Sequence, residues 1–303
     1  MAGHATAWRS LAHRGWWAPR GLSSIFHRSD VMNAYFGSLA GKRDEDIHLA
    51  EAALQIAAQE YPSINVSSYV TLLENWGSDL KKTFSSKSKK QKIGAINEFL
   101  FQKMGFTGNV EDYYDPKNSF LNDVIDRKIG IPISLSVIYL QLAWAFDLEA
   151  EGIGFPGHFL VCVKTENGSL YIDPFHHGNT MTLEDCRKFW NDLTEAQMEF
   201  DQSFLHPLNK RQILGRMLRN LKGIYLEQRN YGKLVGTLDL LVTLNPLDPD
   251  EIRDRGIVHY QMESFRQALQ DFEAYLSMSS DAEETATIRQ YVEILRHYNS
   301  RLN

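Results

Sequence analysis

Two short segments carry the residue types of acid–base chemistry at a usable spacing. GHFLVCV, Gly157 to Val163, places a histidine at the head of an apolar run, and YIDPF, Tyr171 to Phe175, places an aspartate at the tail of another. ENGS, Glu166 to Ser169, lies between them as a hairpin signal, so the two runs should pair antiparallel. His158 and Asp173 then come side by side. An aspartate beside a histidine fixes the imidazole tautomer and stabilises its cation, which is the orienter and base of a catalytic triad. The same two residues equally make a hydrogen-bonded polar pair inside a core.

A triad also needs a nucleophile. Cys162 alternates onto the strand face of His158, but four residues on it stands about 13 Å away at ~3.3 Å per residue, too far to exchange a proton. It reads as a small buried hydrophobe. Cys186 falls in a later helix with no evident partner. Ser134 and Ser136 sit in the first turns of an apolar helix that opens after Gly130 and Pro132, where the positive helix end would favour a nucleophile. Both serines also suit bonding to the helix backbone. Ser134, His158 and Asp173 are therefore the candidate catalytic constellation. DPFHHG offers a second chemistry: His176 and His177, with His158 and Asp173, would supply imidazole and carboxylate to zinc or iron. Their spacing follows no recognised ligand pattern, and adjacent histidines before a glycine also suit an exposed turn.

These residues need a scaffold. IPISLSVIYLQLAWAF, Ile131 to Phe146, is apolar nearly all round, with Leu135, Ile138, Tyr139, Leu142, Ala145 and Phe146, so it reads as a buried helix with Pro132 near its first position. Ser and Gln interrupt it, and it is too short to cross a bilayer. EAEGIGF, HFLVCVK and SLYIDPF read as three strands, and TLEDCRKFW as a helix capped by Thr182 with Asp185 three residues on. Upstream, helices are expected in the stretch before Pro62, over Val66 to Leu80, and over IGAINEFLFQKMGF up to Gly105. KKTFSSKSKKQK, with six lysines, is a solvated loop and polar helix start, or a phosphate-binding patch.

From about Leu205 the pattern is purely helical and repeats. A shift of 34 residues takes Leu226 to Tyr260, Tyr231 to Phe265, Leu238 to Phe272 and Leu241 to Tyr275, and 34 is the tetratricopeptide period. The helix from about Asp281 would cap the array. The expected organisation is a basic, disordered leader over 1–43, a first domain over 44–204, and helical repeats over 205–303.

Composition bounds the function. The chain has 303 residues, is 43% hydrophobic and carries a net charge of −6, so it is not built to coat nucleic acid. No segment suits a membrane span, and no Gly-rich phosphate loop or other cofactor motif is present. Two scattered cysteines make no disulfide framework, which favours a reducing, cytoplasmic setting. The first 29 residues hold four arginines (Arg9, Arg14, Arg20, Arg28) and no acid, so import into a mitochondrion or plastid is the alternative.

GFTGNVEDYYDPKNSFLNDVIDRKIGIPISLSVIYLQLA, followed by GFPGHFLV and YIDPF, resembles the SirB-type branch of the transglutaminase-like superfamily. RMLRNLKGIYL and RDRGIVHY match the tetratricopeptide-like repeats that follow the core in that branch. The likeness covers about residues 45 to 300. It implies an α+β, papain- or transglutaminase-like core, with helices packed on an antiparallel sheet, followed by an all-α helical repeat domain. In active members of the superfamily a cysteine stands at the start of the buried helix, a histidine opens a strand and an aspartate lies on the next. His158 and Asp173 match the last two. GIPIS occupies the cysteine's place, at or near Pro132 with Ser134 two residues on.

Three functions follow. The first is a catalytically degenerate module that binds a peptide or protein in its cleft and offers the repeats as a second surface. The second is an acyl hydrolase or acyltransferase using Ser134, His158 and Asp173. The third is a metal site at His158, Asp173, His176 and His177. Ser134 Oγ within reach of His158 would favour the second; three groups converging on one point would favour the third.

Overall fold

A computed structural model describes residues 26–84, 87–279 and 282–300. The chain divides into two compact units, one from Met32 to Arg229 and one built on Asn230–Asn303.

The first unit has the expected α+β architecture. Its centre is α6 (Pro132–Ala145), fully enclosed over most of its length. Uniform apolarity leaves a helix no face to turn to water, so it must be covered on all sides. The five-stranded antiparallel sheet covers part of it, in the order β6 (Asn179–Met181), β5 (Gly168–Asp173), β4 (Leu160–Thr165), β3 (Ala150–Ile153) and β7 (Pro207–Leu208). β4 and β5 pair with Val161 opposite Ile172 and Cys162 opposite Tyr171. Helices α2 (Leu49–Ala57), α3 (Val66–Phe84) and α4 (Lys89–Asn97) also pack on α6. A Cβ on Gly77 would stand 2.4 Å from the Ala145 Cβ, so glycine sets how closely α3 meets α6. A two-stranded parallel piece, β1 (Thr107–Gly108) with β2 (Ile129–Gly130), leads through α5 (Leu121–Arg127) to the start of α6.

Two boundaries differ from expectation. Residues 1–25, which hold Arg9, Arg14 and Arg20, lie outside the described residues. The stretch to residue 43 is not all leader, because α1 (Phe26–Ala40) is helical and buries Phe36 and Leu39. The junction expected near 205 falls at Arg229, because α8 (Lys210–Glu227) packs on α2, α6 and β7 and buries Ile213, Leu214, Met217, Leu218 and Leu221. In the lysine-rich stretch, of which residues 85 and 86 lie outside the described residues, Ser88 caps α4 in a capping box with Gln91. Lys92 lies over the Phe146 ring and bonds its carbonyl. The second half of the stretch, from Ser88, is therefore a helix start.

The second unit holds α9 (Tyr231–Leu244), α10 (Pro249–Gln261), α11 (Phe265–Met278) and α12 (Ala282–Ser300). The 34-residue period is visible in the helix limits: Tyr231 and Leu244 map onto Phe265 and Met278, the two ends of α11. Ala268, Phe272, Tyr275, Ile288, Val292 and Leu295 form its core with Ile252. Gly256 is required there, since a Cβ would meet the Phe272 ring at 2.7 Å. Among the described residues no helix is long and apolar enough to cross a membrane.

Candidate functional site

His158 lies just ahead of β4, on a tight turn. Pro156 and Gly157 are its central residues, Gly157 has φ +73, and the His158 N–H donates to the Phe155 carbonyl at 3.0 Å. Those are the features of a type II turn, which needs φ > 0 at its third residue. Arg216 of α8 locks it: Nη2 donates to the carbonyls of Phe155 at 2.8 Å and His158 at 2.6 Å. Burial pushes the Arg216 pKa down.

Asp173 is the last residue of β5 and the N-cap of a 3-10 turn over Pro174–His176. Its Oδ1 accepts the N–H groups of Phe175 at 3.0 Å and His176 at 3.3 Å. Its Oδ2 lies 2.9 Å from His158 Nε2 and 2.7 Å from His176 Nδ1. His158 and Asp173 are enclosed, at 7% and 2% exposure, whereas the His176 side chain is 55% exposed. Burial works to raise the Asp173 pKa, but the two imidazoles outweigh it and hold the carboxyl below its usual range. With the carboxylate ionised, His158 Nε2–H donates to it and Nδ1 is left as the basic nitrogen. Nδ1 has no hydrogen-bond partner among the described residues and is not sealed from solvent. Phe175 and Phe189 wall the His158 ring, at centroid distances of 5.9 and 5.3 Å.

Ser134 does not join this pair by any hydrogen bond. It is the third residue of α6, and its Oγ donates to the Asn118 carbonyl at 2.6 Å and accepts the Ile131 N–H at 3.1 Å. It is fully buried, so its donor and acceptor capacity is spent on the start of the helix. Ser136 Oγ is sealed, with no partner among the described residues. Both cysteines are buried and unpaired. Burial raises the Cys162 pKa and pushes the Cys186 thiol up to about 12, so neither holds a thiolate at neutral pH. His177 turns away from the other histidines. It adopts φ +56, and its Nε2 lies 3.3 Å from Thr107 Oγ1. The four-residue metal set therefore reduces to three convergent groups: His158, Asp173 and His176.

Sequence reasoning missed Arg216 and Asn118. Arg216 is an arginine on the otherwise apolar face of α8, between Ile213 and Met217, and that placement was its only signal. Asn118 is fully buried, in the segment between β1 and α5. Its side chain bonds Asn109 Nδ2 and the Asp112 carbonyl, and its own carbonyl takes Ser134, which ties loop 109–113 to the start of α6. Tyr113 of that loop packs on Phe175, and Tyr114 is 65% exposed beside it. An open cleft of about 540 Å³ lies below, lined by Asp112, Tyr114, Asp115, Pro116, Ile224, Glu227 and Gln228. None of His158, Asp173 and Ser134 lines it.

An enclosed helix start facing a sheet, with a histidine and an aspartate on neighbouring strand ends, defines a transglutaminase-like core. The family model described as transglutaminase-like superfamily matches residues 67–219, and that for the tetratricopeptide repeat matches 221–293. A UPF0162 protein of Xylella fastidiosa is 34% identical over 261 residues, 85% of this chain and 93% of the relative. Protein SirB1 of Salmonella typhimurium is 23% identical over 69% of this chain and 78% of its own length. F-box only protein 21 of the mouse is 31% identical over 52% of this chain, which is 26% of that larger protein. No solved structure matches. The chain belongs to the SirB-type UPF0162 family, a transglutaminase-like domain followed by tetratricopeptide repeats.

Proposed function

We propose that this protein is a non-catalytic, peptide- or protein-binding member of its family, with the helical repeats as a second interaction surface. One observation carries the reading: where the wider superfamily places its nucleophile, this chain has Pro132 at the first position of α6, and the nearby Ser134 hydroxyl is committed to the backbone of Asn118 and Ile131. Ser134 is therefore not in hydrogen-bond contact with His158, the contact that serine-based acyl transfer requires. The open cleft beside Tyr114 gives a peptide an exposed aromatic and the carboxylates of Asp112 and Glu227, while Asp115 is paired with Arg127. Tandem helical repeats of this kind bind peptides or proteins on a concave face. A cytoplasmic setting fits two free cysteines.

The test has two arms. Full-length protein is offered a glutaminyl protein with a fluorescent amine, then serine- and cysteine-reactive acylating probes. The expected result is no His158-dependent turnover and no label on Ser134. Turnover that H158A abolishes would overturn the reading in favour of the Ser134–His158–Asp173 alternative. In the second arm, peptides selected on the immobilised protein are measured by calorimetry against Y114A. Binding weakened by Y114A supports the cleft as the docking site, and binding unaffected by it removes the cleft from the proposal.

A further inference from the structure

We propose that His158, Asp173 and His176 form a binding site for a divalent first-row transition metal, with zinc the fitting ion. The proposal is independent of what the cleft binds. Its basis is convergence: His158 Nε2, one Asp173 oxygen and His176 Nδ1 all lie within 4.8 Å of one another. Both nitrogens approach the same oxygen, Oδ2, at 2.9 and 2.7 Å. Around zinc, with bonds of about 2.0–2.2 Å, neighbouring ligand atoms stand roughly 3.0–3.6 Å apart. To reach that spacing each ring nitrogen draws back from Oδ2 by roughly half an ångström and the two nitrogens, now within 4.8 Å of each other, close on the ion that replaces the two ring protons.

A structural pair does not need the third group. Asp173 already has His158 on one oxygen and two backbone N–H groups on the other. The half-exposed His176 ring nevertheless lies against the same carboxylate and stacks on His158, with centroids 5.7 Å apart at 25°. The local backbone enforces this. In a 3-10 turn residues three apart eclipse, so Asp173 and His176 share one side. His158 arrives from the neighbouring strand and is fixed by its turn and by Arg216. The ligand backbones are thus held before any ion binds. Oδ1, anchored by main-chain N–H groups, leaves Oδ2 to bind as a single oriented donor, the outer-shell support that metal carboxylates use.

The donor set also selects the ion. Two imidazoles and one carboxylate suit zinc or iron and not calcium or magnesium, which take oxygen ligands. One negative charge and two neutral rings suit a dication. Phe175 and Phe189 close the His158 side, and the exposure of His176 leaves the opposite side open for a water or ligand as a fourth donor.

The experiment uses tag-free, full-length protein stripped with a chelator and titrated with Zn²⁺ by calorimetry, with Co²⁺ as a visible-absorption probe of the same site. The expected result is saturable binding of about one ion per chain, with an absorption band for bound Co²⁺. H176A should weaken binding roughly tenfold or more, and D173N likewise, whereas H177A should bind as wild type. H176A is the decisive variant: its ring is half exposed, so its removal leaves no buried hole. Absence of saturable binding by wild type overturns the proposal, and so does unchanged affinity in H176A, which would place the ion elsewhere.

Discussion

Ser134→Ala separates a capping serine from a catalytic one. The substitution removes a hydroxyl that donates to the Asn118 carbonyl at 2.6 Å and accepts from the Ile131 N–H at 3.1 Å. Ile131 is 2% exposed and Asn118 0%, so water does not replace the lost partner. Each of the two stranded buried groups costs about 1–3 kcal/mol, and alanine's better helix propensity returns about 0.5 kcal/mol, leaving a loss of about 1.5–5.5 kcal/mol. For a unit of this size that is roughly 3–22 °C in Tm. Of the six tryptophans, Trp76, Trp144 and Trp190 lie in the first unit, Trp8, Trp16 and Trp17 lie outside the described residues and Asn230–Asn303 contains none, so urea unfolding followed by tryptophan fluorescence in a W8F/W16F/W17F background reads the right part of the chain. Ser136→Ala is the internal control. Its Oγ is sealed without a partner, so its removal should be neutral or stabilising. If S134A unfolds within about 0.5 kcal/mol of wild type, or S136A costs as much as S134A, the capping assignment is refuted.

Other outcomes follow from the same physical terms. Cys186, with its pKa pushed up to about 12, and Cys162, also raised, should resist thiol alkylation in native buffer and react on unfolding; rapid native labelling would contradict their burial. Gly256→Ala should destabilise the second unit by about 1–3 kcal/mol in a thermal melt followed by circular dichroism, because the new methyl meets the fully buried Phe272 ring at 2.7 Å; an unchanged melt would mean that the ring moves freely. His259 is held below the ordinary histidine value, first by burial and then by Arg255, with Asp271 opposing. The unfolded chain therefore takes up this proton first, and stability falls as the pH drops through about 6.5. H259Q should flatten that slope between about pH 7.5 and about pH 5.5, and an unaltered slope would assign it to other groups.

The site was legible where chemistry follows from short sequence separation. The hairpin signal ENGS was enough to bring His158 and Asp173 together, because antiparallel strands joined by a tight turn have little freedom in register. The same nearness explains His176, three residues beyond Asp173, although only the 3-10 turn decides that it, and not His177, joins the carboxylate. Arg216 was not legible in this way. It lies 58 residues from His158, and no local pattern states which carbonyls a helical arginine will reach.

Periodicity and apolarity determined the large features from the sequence alone: a helix that must be buried, an antiparallel sheet, and a repeat of 34 residues whose helix limits reappear in the fold. These are one-dimensional properties, since hydrophobic period and turn chemistry act within a few residues. Tertiary structure alone decided the fate of Ser134. At the helix start the sequence permitted either a nucleophile or a cap. The difference is the placement of Asn118, sixteen residues earlier, whose carbonyl takes the serine proton in a site closed to water. The limit of the first unit has the same origin. α8 has the helical pattern of the repeats, but its apolar face is buried against α2, α6 and β7, and which surface a helix covers depends on packing and not on its own sequence.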